Sequence, residues 1–267
     1  GMIEACLASG VTTFDHAAIY GGYRTEAFFG EALKEWRGQR ETIEIVTKCG
    51  ISAPTGTWPH ASVKHYNTSA AHIAESLDRS LSMLGVGYVD LLLIHRADPF
   101  MDADDTARGL EAALASGKAR HVGVSNFSPA QFALLQSRLR TPLVTNQIQF
   151  SLLHTAPLFD GTLDQAQELR RTPMVWSPLG KGRLFDPKDQ AAAGLRAVLK
   201  TAGAALGTDD IAALALAWLL AHPSRPVPIL GTNRTERLPA LARAADLGMD
   251  RQTWFALLEA ARGEPVP

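Results

Sequence analysis

Hydrophobic and polar positions along this chain follow two alternating periods. Short runs of β-branched and apolar residues fall at 12–14, 43–47, 89–94, 121–124, 143–150, 174–177 and 227–230, with longer stretches at helical spacing between them. In the run Val89-Asp90-Leu91-Leu92-Leu93-Ile94 the apolar positions are nearly continuous. Such a strand is covered on both faces, as in a parallel sheet with helices packed outside it. After Asn67, either Thr68 or Ser69 is placed to cap a helix whose Ile73, Leu77, Leu81 and Leu84 share one face, and Gly85 ends it. A second helix is predicted over 106–116, closed by Gly117. Ser128-Pro129 opens a third, with a capping residue followed by proline at the first helical position. Residues 2–8 are helical in pattern and have no strand before them. Residues 211–221 are apolar all round, stop at His222-Pro223, and are too short to span a bilayer, which predicts a buried helix.

Seven strands, each followed by a helix or a long connection, with no break in composition, predict one α/β domain over residues 1–267. A doubly wound open sheet and an eight-stranded barrel both share this alternation. The number of units favours a (β/α)8 TIM-type barrel lacking its first strand. Gly1-Met2 reads as a cloning scar joined to a start methionine.

Composition narrows the function classes. With 26 Lys and Arg against 27 Asp and Glu, the net charge is −1, which gives no footprint for a nucleic-acid backbone and no polybasic membrane patch. Two cysteines, Cys6 and Cys49, cannot build a disulfide framework, and neither has the neighbours of a zinc site, so no metal centre is expected. The first residues lack a basic segment leading into an apolar core, so no secretory signal is read. The expectation is a soluble, cytoplasmic, globular protein.

In a parallel barrel, chemistry sits at the C-terminal ends of the strands. There the sequence places Asp15, Lys48, His95, Ser125-Asn126, Gln147 and Trp176-Ser177, with Tyr20 five residues beyond Asp15. A phenol, with an ordinary pKa of about 10, is a weak acid at neutral pH. An ammonium beside it favours the phenolate, so the pair can deliver a proton to a developing alkoxide. Asp15 supplies the carboxylate that a low-dielectric ammonium needs, and His95 can orient a carbonyl through its oxygen. Singly, each residue also has a plain structural reading: a turn cap, a loop aromatic, a solvated strand end, a core histidine.

Phe14-Asp15-His16-Ala17-Ala18-Ile19-Tyr20-Gly21 resembles the signature of the aldo-keto reductases. Val46-Thr47-Lys48, Leu92-Leu93-Ile94-His95, Gly123-Val124-Ser125-Asn126-Phe127, Asn146-Gln147 and Trp176-Ser177-Pro178-Leu179-Gly180 resemble the same family, in its order and over nearly the whole chain. The insertion holding Lys64-His65-Tyr66-Asn67-Thr68-Ser69 is similar to that of a bacterial branch of oxidoreductases. The resemblance implies reduction of a small-molecule aldehyde or ketone by NADP(H), on a barrel. By the same resemblance Tyr20 is the general acid, Lys48 and Asp15 tune it, and His95 orients the substrate. Ser125, Asn126 and Gln147 match the residues that hold the nicotinamide carboxamide. Trp176 matches the stacking aromatic, and Ser177, Pro178, Leu179, Gly180 and Lys181 match the pyrophosphate loop. Gly231, Asn233 and Arg237 fall in the segment that binds the adenosine 2′-phosphate, which favours NADP over NAD. Arg234 and Arg237 near a helix start are mildly unfavourable unless an anion is bound.

Two departures stand out. Where many relatives carry Glu-Asn against the adenine, this chain has Ala240 and Leu241. The family's N-terminal hairpin and first strand have no counterpart, so a barrel with a gap, or one closed between molecules, is expected. Two other classes share parts of the pattern. A cofactor-binding regulatory or redox-sensing barrel would bind without turnover, and a barrel lyase would use Lys48 in a Schiff base. Trp58, Phe100 and Leu184-Phe185 are candidates for an apolar pocket entrance, which favours aldehydes, ketones or quinone-like carbonyls over sugars. Oligomeric state is left open.

Overall fold

The computed structural model describes residues 1–55 and 61–266. The candidate entrance residue Trp58 lies outside them. The chain forms two compact units, one of residues 12–146 and one of residues 1–11 with 147–267.

Helix α1 (Met2–Ala8) opens the chain and belongs to the second of these units. The first unit contains β1 (Thr13–Asp15), a short turn of helix α2 (Tyr20–Tyr23), α3 (Thr25–Glu35) and β2 (Glu44–Cys49). A two-stranded antiparallel hairpin follows, β3 (Ile51–Ser52) with β4 (His65–Tyr66). Then come α4 (Ala70–Leu84), β5 (Val89–Ile94), α5 (Ala103–Ala115), β6 (Ala119–Ser125) and α6 (Pro129–Gln136). Strands β1, β2, β5 and β6 pair in parallel in that order. Val89, Leu92, Leu93 and Ile94 are all fully buried, as a strand covered on both faces requires.

Strand β7 (Asn146–Gln149) leads into the second unit, where β8 (Met174–Trp176) and β9 (Val227–Pro228) continue the parallel pairing. Its helices are α7 (Thr162–Glu168), α8 (Ala193–Leu206), α9 (Ile211–Leu220), α10 (Leu238–Ala242) and α11 (Arg251–Arg262). Residues 213–219 of α9 are all buried, as its all-round apolar pattern predicts. Trp218 and Trp254 clip α9 to α11: their rings stack at 5.0 Å, and each indole N–H donates to the other's carbonyl at 3.0 Å. Among the described residues no single helix is long and apolar enough to cross a membrane.

The seven parallel strands are the seven that the hydrophobic pattern marks, and among the described residues β1 pairs on one side only, with β2. Ser69 caps α4 by accepting from the His72 amide, and Gly85 ends it in the left-handed region. Ser128 and Gln131 form a capping box on α6. Helix α5 differs from expectation. It begins at Ala103 and not at residue 106, because the Asp102 carboxylate accepts from the amides of Asp104 and Asp105. The hairpin β3–β4 has no forerunner in the sequence pattern.

Candidate active site

Register in the first unit brings the polar residues to one end of the sheet. Asp15 ends β1, opposite Val46. Lys48 sits opposite Leu93, two residues short of His95, and Gly123 opposite Leu93 on the far side puts Ser125 at the same level. Stabilising polar contacts gather at the other end. There the Arg40 guanidinium donates to Asp90 at 2.6 Å and, with Arg120, lies over the Tyr88 ring at 4.3 and 3.9 Å. This division of labour is the one expected of parallel barrels.

Beyond β1 the ladder to β2 continues, with the amides of His16 and Ala18 donating to the carbonyls of Val46 and Lys48. A turn from Ala17 to Tyr20 follows, and Gly21 and Gly22 take φ of +59° and +65°, a conformation that glycine adopts without penalty. The turn returns the Tyr20 side chain to the strand ends. Lys48 Nζ donates to Asp15 Oδ2 at 2.6 Å, to the His16 carbonyl at 2.8 Å and to Tyr20 Oη at 3.1 Å. The Lys48 side chain has no exposed surface and that of Asp15 only 9%, whereas Tyr20 stays about one-third open to solvent. All three ammonium protons have acceptors. That satisfies a buried charge that would otherwise be costly.

The His95 ring stands edge-on to Tyr20, with centroids 5.8 Å apart. Burial, reinforced by the positive charges of Lys48, Arg96 and Lys64, pushes its imidazole down to about 3. It is therefore neutral at physiological pH and offers a hydrogen bond without a charge. The Asn126 amide donates to the His95 carbonyl at 3.3 Å and to Ser125 Oγ at 2.7 Å. Asn126 itself has φ of +61°, in a region where asparagine is the commonest non-glycine visitor.

In the sequence His16 figures only as part of a motif. In the fold it is buried beside the Phe29 ring at 4.3 Å, its Nε2 has no hydrogen-bond partner among the described residues, and burial and Lys48 hold it down at about 4. The unfolded chain protonates both imidazoles below about pH 6.5, while the folded chain does so only near 4 and 3. Stability is therefore lost as pH falls through that window. Linkage puts the loss near 2 kcal/mol per histidine between pH 7 and 5, to order of magnitude. Glu26, whose carboxyl burial raises, works in the opposite sense. Urea midpoints at pH 7 and 5 should differ clearly, and His16→Gln with His95→Gln should flatten the slope; an unchanged slope would refute the assignment.

In the second unit, Trp176 ends β8 and the next residues form a tight left-handed loop. Ser177, Gly180, Lys181 and Gly182 have φ of +52°, +61°, +57° and +85°. The amides of Gly180 and Gly182 donate back to Ser177 and Leu179. A Cβ on Gly180 would stand 2.7 Å from Leu153 Cδ1 at a φ of +61°, so a side chain there would be strained and would have to push Leu153 aside. Positive φ at Ser177 and Lys181 costs on the order of 1 kcal/mol each, the kind of strain that gathers at ligand clamps. Lys181 Nζ stands 5.5 Å from the Trp176 ring centre. Gln147 is buried, its amide 3.9 Å from the Met174 sulfur. Gly231, Asn233 and Arg237 lie together on an exposed segment before α10, and Arg237 has no acid partner among the described residues. Leu241 is turned into the apolar core. Leu184 is likewise core, while Phe185 and Phe100 are exposed. Three successive left-handed residues, 180–182, with a lysine at their centre shape the loop after Trp176.

Residues 1–261 match the Aldo/keto reductase family, and the chain belongs to that family of oxidoreductases. It is 53% identical over 264 residues to a 6-dehydroglucose reductase of Agrobacterium fabrum, covering 99% of this chain and 88% of that protein. To oxidoreductase YdhF of Escherichia coli it is 50% identical over 265 residues, with the same coverage. Among solved structures, the thermostable aldo-keto reductase Tm1743 matches with a TM-score of 0.79 at 28% identity, covering 97% of this chain and 85% of that one.

Proposed function

We propose that this protein reduces aldehydes or ketones to alcohols with NADP(H), Tyr20 acting as general acid. The observation that carries it is the Lys48 ammonium held between the Asp15 carboxylate at 2.6 Å and the Tyr20 hydroxyl at 3.1 Å. When bound, the nicotinamide supplies a hydride to the carbonyl carbon. As the carbonyl oxygen gains negative charge it takes the phenolic proton, and Lys48 stabilises the phenolate left behind. Neutral His95 donates to the same oxygen and orients it. Ser125, Asn126 and Gln147 are assigned to the carboxamide and Trp176 to the ring face. The loop of Ser177, Pro178, Leu179, Gly180 and Lys181 is assigned to the pyrophosphate, and Gly231, Asn233 and Arg237 to the 2′-phosphate. The relative named for 6-dehydroglucose makes that sugar aldehyde the first substrate to offer, with an apolar aldehyde as comparison because Phe100 is almost fully exposed on the loop after His95.

Titration with NADPH, followed by tryptophan quenching, should saturate in the micromolar range or below, with NADH much weaker. Arg237→Ala should weaken NADPH about 10- to 100-fold, the worth of a charge-assisted contact, and leave NADH unchanged. Equal affinity for the two cofactors in the wild type would overturn the NADP assignment. Binding of neither would overturn the reductase reading.

A further inference from the structure

Behind Lys48, on the opposite face of β2, lies a carboxylate that no step above uses. Glu26 is buried, with 2% exposure, on the face of α3 that meets α4. Thr47 Oγ1 donates to its Oε1 at 2.5 Å and Ser80 Oγ, from α4, to its Oε2 at 3.0 Å. Gly30, one turn along α3, allows the close approach this needs, since a Cβ there would stand 2.3 Å from the Met83 carbonyl. Burial raises the carboxyl; the two hydroxyls, Arg79 and Lys48 oppose that in decreasing order. A carboxylate held by hydroxyls in a dry layer costs stability that an apolar residue would not. Along a strand, neighbouring side chains point to opposite faces, so fixing Thr47 outward fixes Lys48 inward.

We infer that Glu26 is a positioning residue: through Thr47 it fixes the residue preceding Lys48, and so holds the ammonium within reach of both Asp15 and Tyr20. The inference rests on the proposed role of Lys48. A shift of a fraction of an ångström at Nζ would lengthen the 3.1 Å contact to Tyr20, and misplacement on the order of 1 Å costs up to about 100-fold in rate.

The test is NADPH oxidation with 6-dehydroglucose and with an apolar aldehyde, together with NADPH affinity and melting temperature. Thr47→Val and Glu26→Ala should lower kcat about 10-fold with KM and NADPH affinity within about 2-fold, while Glu26→Gln, which keeps the acceptor, should stay within about 3-fold of wild type. A kcat for Thr47→Val within 2-fold of wild type, or a loss of kcat that only tracks the fraction folded, would overturn the inference. Lys48→Met, run in parallel, separates the two claims. If it is inactive while Thr47→Val is normal, only the positioning role fails; if it is active, the reading of the site fails with it.

Discussion

Tyr20→Phe should remove turnover while leaving the fold and the cofactor affinity in place, with kcat falling about 10²- to 10⁴-fold, the range supplied by a positioned general acid. The variant deletes one oxygen. Lys48 keeps its bonds to Asp15 and to the His16 carbonyl, so two of its three ammonium protons stay paired and the third faces the solvent-open side the hydroxyl occupied. The phenyl ring that remains can still stand edge-on to His95. With Tyr20 partly open to solvent, the lost hydroxyl leaves no buried cavity. Melting temperature and NADPH quenching should therefore match the wild type. A variant that retains more than a tenth of the activity would exclude Tyr20 as the acid, and water or His95 would then have to deliver the proton. A wild type that binds NADPH but turns over no aldehyde would instead support the cofactor-binding regulatory reading.

Much of this site is legible in the sequence because its parts are end-markers of strands. The apolar run at 89–94 announces a doubly covered strand, and a histidine directly after it marks the C-terminal end where a parallel barrel places its chemistry. The same holds for Lys48 in an otherwise apolar segment. What the pattern hides is direction. Asp15 and Lys48 lie inside β1 and β2 and not just beyond them, since the ladder runs further than hydrophobicity does. Positive φ at Ser177 and Lys181 is invisible, because neither residue type favours it and only the closed loop enforces it. The hairpin β3–β4 pairs residues 51–52 with 65–66 across a polar insertion without alternation. Glu26 passes for an ordinary helix charge, although its spacing gives it away: it shares a face with Gly30 and Leu33, at i, i+4 and i+7. A carboxylate on the inner face of an amphipathic helix signals a buried polar contact. The helix start at Ala103 is hidden for a simpler reason. Asp102, Asp104 and Asp105 look like a solvated acidic run, yet one of them is the cap.

Lys48→Met should be the most damaging single change, because it acts on stability and on rate together. Methionine fills the volume, but it leaves the Asp15 carboxylate with little solvent and without its cation. Removing one partner of a buried ion pair typically costs about 3–5 kcal/mol. The rate should fall at least as far as in Tyr20→Phe, since the proton donor loses the charge that stabilises its conjugate base. Adding Asp15→Asn separates the two effects. An uncharged amide no longer demands a counter-ion, so the double variant should regain most of the unfolding free energy in urea, yet turnover should stay absent. Recovery of stability without activity is what a pair kept for chemistry predicts, because the structural need can be met without charge and the chemical need cannot. If activity returned with stability, the ammonium would be a structural strut, and proton delivery from Tyr20 would not depend on it.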